Sequence, residues 1–241
     1  MNLLLRPAPS SLASKYVMAV TGLVLLLFVI GHMAGNLQIF LGKQALNDYA
    51  HHLEELPMLL WTARVVLLVL FVLHIVMGVR LWILNRRARP VGYFYNDTVR
   101  ASWASRNMLL TGLVILVFVI YHLLHFTFGV TDPAHFKKNT DQVKFYTPEP
   151  KDPALRPEYD VAAMVVGGFE QWPVSLVYIV AQVFLGLHLW HGAGSWMQSL
   201  GLNNRRWQRV IHGVGSTVAV LIVVGNCSIP MAILLTPWRP N

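Results

Sequence analysis

Only one cysteine, Cys227, stands in the chain. That excludes a disulfide framework, a cysteine-ligated iron–sulfur cluster and the C-x-x-C-H attachment of a covalent haem. Charge is scarce too: 12% of residues are Asp, Glu, Lys or Arg, where soluble domains carry about 25%. The apolar runs of roughly 20 residues hold almost none of it, which excludes a soluble globular domain. What fills the chain instead is 55% hydrophobic residues, at a mean hydropathy of +0.51. The expected class is all-α: a polytopic membrane protein forming one helical bundle across residues 1–241, not a string of soluble domains. Arg6 and Lys15 are the only charges ahead of the first full-length apolar run, and no small-residue cleavage site is evident. The run reads as the first membrane helix and not as a removable signal.

Five spans are expected, at about 14–41, 57–84, 105–129, 173–200 and 207–235. Pro57 and Pro173 suit the first turn of a helix. Between the third and fourth spans, residues 131–160 are rich in proline and charge and read as an extramembrane loop with little regular structure. The apolar stretch from Val161 to Phe169 is too short to cross and reads as interfacial.

Lys and Arg placement orients the bundle. With the N-terminus inside, the inner segments hold Arg6, Lys15, Arg80, Arg86, Arg87, Arg89, Arg100, Arg106, Arg205, Arg206 and Arg209 against one acid, Asp97. The remaining ten acids all fall outside. A cytoplasmic N-terminus follows. The bases sit at helix ends, where this rule already explains them, so the basic balance does not argue for nucleic acid.

The chain repeats itself. Thr21–His32 reads TGLVLLLFVIGH and Thr111–His122 reads TGLVILVFVIYH, identical at nine of twelve positions. A fainter echo pairs Leu73-His74, Gly78 and Trp82 with Leu187-His188, Gly192 and Trp196. Four spans therefore carry one histidine each in matched settings. Depth follows from the helical rise. His32 lies 17 residues beyond Lys15, about 25 Å above the inner face, and His122 lies 16 beyond Arg106, about 24 Å. His74, 12 residues before Arg86, and His188, 12 before Leu200, both lie about 18 Å up. So His32 pairs with His122 in an outer tier, and His74 with His188 in an inner one.

Two imidazoles facing each other at one depth, twice over, match the axial ligand sets of two haems. With a single cysteine and no C-x-x-C-H motif, such haems would be non-covalent haem b. Gly31, Gly35, Gly78, Gly186 and Gly192 are the expected walls of the haem slots. Zinc is the chemical rival, but it wants carboxylates or thiolates, and the spans offer almost none. Intramembrane ionisable groups are functional by default. Weaker candidates are His125 and His191, each three residues past a proposed ligand and able to replace it or to bond a propionate or quinone. His212, at the inner start of the fifth span, and Arg64, early in the second, are placed near propionates or headgroups. His135 reads as solvated. In the outer segment before the second span, His51, His52 and Glu54 (with Tyr49 and Glu55 beside them) are candidates for proton exchange with a quinone. The inner basic stretch from Arg86 to Arg106 could dock a soluble partner.

At these residues the chain resembles the dihaem, five-helix cytochrome b anchor subunit of the succinate dehydrogenases and fumarate reductases. The matching pieces are FVIGHMAGN, YAHHLEELP, VLHIVMG, FVIYHLLHF and LHLWHGAGSW, in that order. The resemblance implies His32, His74, His122 and His188 as the axial ligands, which prefers His122 to His125 and His188 to His191. It implies a flavoprotein subunit with FAD and an iron–sulfur subunit on the cytoplasmic face, menaquinone as the membrane substrate, a bacterial cytoplasmic membrane and a respiratory role. The chain would then carry electrons between the iron–sulfur subunit and quinone, with no dicarboxylate site of its own, in a complex that can form a higher oligomer. Two features depart from the family pattern: the longer 131–160 loop, and the lack of a carboxylate near His188. Rival readings are the cytochrome b anchor of a hydrogenase or formate dehydrogenase, and a haem-free anchor or transporter.

Overall fold

The computed structural model describes residues 11–88, 91, 103–136, 160–199, 201 and 205–236. Every element among them is helical and none is a strand. In lipid no water satisfies a free backbone amide, so a span rich in Val, Leu and Ile closes its hydrogen bonds internally as a helix, whatever its β propensity. Helix α1 covers Ser11–Asn36 and tightens into a 3-10 turn, Leu37–Leu41. Gly42, at φ 122°, ends that turn in a conformation only glycine adopts freely. It lets the chain start α2, Lys43–Glu54. Helix α3 is Pro57–Arg87, with the proline at its first position. A short α4, Trp103–Arg106, precedes α5, Met108–His122, which runs on as a π-helical turn, Leu123–Thr127. Helix α6 is Val161–Glu170, α7 is Trp172–Ser199 and α8 is Arg205–Leu235.

Five of these segments are long and apolar enough to cross a membrane: Ser11–Leu41, Pro57–Arg87, Met108–Thr127, Trp172–Ser199 and Gly213–Leu235. They coincide with the five expected spans to within a few residues. Helix α3 buries no side chain at all. Trp61, Val65, Leu68, Val72 and Val76 line its length exposed, an apolar face that suits lipid. Two short helices were not resolved by the sequence. The stretch expected as an outer loop before the second span is α2. The stretch from Val161 to Phe169 is a capped helix whose Ala162, Met164, Gly167, Gly168 and Phe169 are buried; it packs into protein. Of the expected 131–160 loop, residues 137–159 lie outside the described residues, as do Arg89, Asp97 and Arg100 of the inner stretch.

The chain divides into two compact units. Unit 1 comprises Met1–Ile30, Thr62–Val114 and Phe184–Val223. Its helices meet through small side chains, as membrane helices do: Ala19, Ala104, Ala193 and Ala219 are buried, and a methyl added at Gly215 would stand 3.3 Å from Ala193. Unit 2 comprises Gly31–Trp61, Ile115–Val183 and Val224–Asn241. It has a core of Ile39, Leu46, Ala162, Phe169, Tyr178, Ile229 and Ile233. Buried Asn47 ties α2 to the start of α6, donating to Asp160 Oδ1 at 3.1 Å and accepting from the Ala162 amide at 2.9 Å. Asp160 caps α6 by accepting from the Ala163 amide at 2.8 Å. At the other end Ser175 Oγ donates to the Phe169 carbonyl at 2.6 Å. Inside α8, Pro230 deprives the Asn226 carbonyl of its usual donor, and the Asn226 amide side chain donates across to Gln182 of α7 at 3.0 Å.

Candidate metal and cofactor centres

Each unit holds one pair of facing imidazoles. In unit 1, His74 of α3 and His188 of α7 stand with ring centroids 6.4 Å apart and planes at 63°. In unit 2, His32 of α1 and His122 of α5 stand 5.8 Å apart at 84°. These are the two pairings expected from depth. A metal–imidazole nitrogen bond is about 2.0–2.1 Å, and a ring nitrogen lies about 1.2 Å from its own centroid, so two imidazoles on opposite sides of one ion have centroids about 6.4 Å apart. The His74–His188 pair meets that separation and the His32–His122 pair, at 5.8 Å, falls slightly short of it. Among the described residues no cluster of three or more His, Cys, Asp or Glu could hold a metal ion. Among the described residues, then, each facing pair offers two nitrogen donors with no third His, Cys, Asp or Glu joining them.

The His74–His188 pair, expected as the inner one, is met by two hydroxyls not among the expected site residues. Thr21 Oγ1 lies 3.1 Å from His74 Nδ1, and Thr111 Oγ1 lies 3.0 Å from His188 Nδ1. Thr21 also reaches the Val17 carbonyl at 2.7 Å, and Thr111 the Met108 carbonyl at 3.1 Å. A hydroxyl has one proton. Spent on the helix's own carbonyl, it leaves the oxygen to accept from the imidazole Nδ1–H. In that arrangement Nδ1 carries the imidazole proton and Nε2 keeps its lone pair. Beside each threonine is a glycine: a methyl at Gly22 would come 3.2 Å from His74 Cε1, and one at Gly112 3.5 Å from His188 Cε1. Thr21-Gly22 and Thr111-Gly112 open the two repeat copies, so the repeat's first two residues serve the inner pair and its last residue the outer. The signal was visible in the repeat, since a hydroxyl and a glycine recur at the same place in two runs that lipid alone would fill with leucine.

The expected slot glycines divide. Gly35 is taken up by the ring of Tyr49, Gly78 by Met18 and Gly186 by Val223, so these three serve packing. A methyl at Gly31 or Gly192 would meet nothing within 4 Å.

In the outer pair, His122 Nδ1 faces the Tyr178 hydroxyl at 3.3 Å, and the same hydroxyl faces His125 Nδ1 at 3.0 Å. His125 is buried and turns its other nitrogen to Asp132, 3.8 Å away. It belongs to this polar group and not to the facing pair. Asp132 also bonds His135 Nδ1 at 2.9 Å and accepts from Gln171 Nε2 at 2.8 Å. His135, expected as solvated, is therefore paired and its side chain is 43% exposed.

The other candidates are dispersed. His191 is half-buried on α7. His51 is half-buried on α2, with His52 and Glu54 exposed beside it. His52 pairs one turn along with Glu55, at 3.7 Å, both side chains more than 70% exposed; a pair so solvated contributes little. Arg64 is exposed on α3. The backbone of His212 is in α8, but its side chain lies outside the described residues. The chain matches no family model, no curated protein and no solved structure.

Proposed function

We propose that the chain is a dihaem cytochrome b membrane subunit of the succinate:quinone oxidoreductase type. The observation that carries the reading is the spacing of the two imidazole pairs, 6.4 and 5.8 Å between centroids, one pair in each unit and both on the repeated helices. A donor set of two facing imidazoles fits a haem iron, which these histidines would hold. His74 and His188 would hold the inner haem, and His32 and His122 the outer. When bound, each haem supplies one-electron transfer. The chain's own residues hold and orient the ligands: Thr21 and Thr111 fix the inner imidazoles through Nδ1, and Tyr178 bonds His122 at the same atom.

The N-terminus is cytoplasmic in this reading, by the placement of Lys and Arg at the helix ends. The same basic face receives the iron–sulfur and flavoprotein subunits of the complex, in a bacterial cytoplasmic membrane. Electrons pass between those subunits and a membrane quinone, menaquinone by the family resemblance, and dicarboxylate chemistry stays with the FAD subunit.

Haem content tests the reading. The purified chain should give two haem b by pyridine haemochrome. His74→Ala and His122→Ala should each leave one. A chain with no reduced alpha band, or a His74→Ala chain still holding two, would refute the assignment. Copurification of a hydrogenase or formate dehydrogenase catalytic subunit would move the same haem chemistry to a different complex.

A further inference from the structure

The polar group of His125, Asp132 and His135 is not used by the ligand pairs. It is nevertheless built. Asp132 is 8% exposed and stands between two imidazoles: His135 Nδ1 at 2.9 Å, partly open to solvent, and His125 Nε2 at 3.8 Å, buried. Gln171 steadies the same carboxylate from the start of α7's approach, at 2.8 Å. Helix α6 provides the floor with two consecutive glycines. A methyl at Gly167 would fall 2.5 Å from His135 Cδ2, and one at Gly168 3.1 Å from His125 Nε2. The first would push the His135 ring aside, and the second would shift His125 by a few tenths of an ångström. The rings of Tyr121 and Phe126 close over His125, at 5.8 and 4.0 Å between centroids. A solvated loop pair has no need of such a seat.

Hydrogen-bond direction is consistent along the group. Asp132 accepts from His135 Nδ1–H and from Gln171. When His125 carries its proton on Nδ1 and donates it to the Tyr178 oxygen, its Nε2 faces Asp132 with a free lone pair. A carboxylate between one exposed and one buried imidazole can pass a proton between them by small movements, because each imidazole can bind at one nitrogen while releasing from the other.

We propose that His135, Asp132 and His125 form a proton path between solvent and the interior of unit 2, serving quinone chemistry. It rests on the dihaem quinone-reductase reading. Reducing one quinone takes two electrons and two protons and yields one quinol. The electrons come from the partner subunits through the chain, and the quinone from the membrane. Each proton binds at His135 Nε2 as its Nδ1–H is released to Asp132; the Asp132 carboxyl then gives its proton to His125 Nε2 as His125 releases Nδ1–H toward the quinone. One bond to hydrogen forms as another breaks at every hop. Quinol oxidation runs the hops backwards.

The test uses the assembled complex in membranes. In Asp132→Asn and His135→Ala variants, quinone-linked turnover should fall about 10²-fold, the scale of a positioned proton-transfer group, while haem per chain and the dithionite-reduced spectrum stay as in the wild type. Added imidazole should restore part of the His135→Ala rate. Full turnover in both variants overturns the path, and so does a slow His135→Ala complex with intact haem that imidazole does not rescue. If Asp132→Asn fails to assemble, the His135→Ala rescue alone decides. A wild-type chain without haem refutes the proposed function instead, so the two failures are distinguishable.

Discussion

Thr111 lies 3.0 Å from His188 through Oγ1 and Nδ1, one helix orienting the imidazole of another. Thr21 repeats the contact with His74. Partners of this kind typically cost 10–100-fold in metal affinity when removed. Thr111→Val keeps the shape and removes the hydroxyl, so haem should be lost from the inner site about 10–100 times more readily, while Thr111→Ser should retain it. Haem occupancy on stepwise dilution in detergent, read at the alpha band, checks both. Equal retention in the valine and serine variants would mean that the hydroxyl does not hold the ligand.

The two glycines beside those threonines differ in tightness, and that ranks their variants. At Gly22 a new methyl meets His74 Cε1 at 3.2 Å, closer than ordinary contact; at Gly112 the nearest atom of His188 is at 3.5 Å, which is ordinary. Gly22→Ala should therefore displace its imidazole by a few tenths of an ångström and change the inner haem's spectrum or midpoint potential. Gly112→Ala should leave both near wild type. Redox titration of the two variants side by side is the check, and a reversed order would contradict the assignment of ring positions.

How much of this was legible beforehand differs by feature. The spans were plain, because a helix in lipid is set by length and apolarity, and α3 needs no packing information at all. The two histidine pairings were legible too, because rise per residue converts sequence position into depth. Helix rotation was not. Gly35, Gly78 and Gly186 were read as slot walls from proximity to a histidine, yet each turns toward Tyr49, Met18 or Val223. Thr21 and Thr111 lie eleven residues before the repeat's histidines and serve the histidines of other helices. Asp132 and the Gly167-Gly168 pair are separated by more than thirty residues, and no periodicity joins them. The short α2 was taken for a loop because its polar face hides a helical pattern of only twelve residues.

Asn47 gives a prediction on stability alone. It is 2% exposed and bridges α2 to Asp160 and the Ala162 amide. Asn47→Ala would leave that buried amide without its acceptor, at a cost of about 1–3 kcal/mol. The melting temperature in detergent should fall by several degrees, and haem should be released from unit 2 before unit 1. Asn47→Asp should be worse still, since it sets two carboxylates against each other at Asp160. A melting curve unchanged in the alanine variant would show that the α2–α6 junction does not limit stability.

Sidedness is the last expectation open to a direct measurement. The positive-inside rule puts Arg86, Arg87 and Arg106 in the cytoplasm and α2 outside. Cys227 is buried, so a Cys227→Ser background adds no cavity of consequence and leaves no native thiol. In that background His52→Cys is well placed for a reporter, since the His52 side chain is 72% exposed, and Arg86→Cys lies at the other end of α3. A membrane-impermeant maleimide should label the first in intact cells and the second only in inverted vesicles. The opposite pattern would put eleven bases outside, where the rule disfavours them, and would overturn the proposal that soluble subunits dock on that basic face.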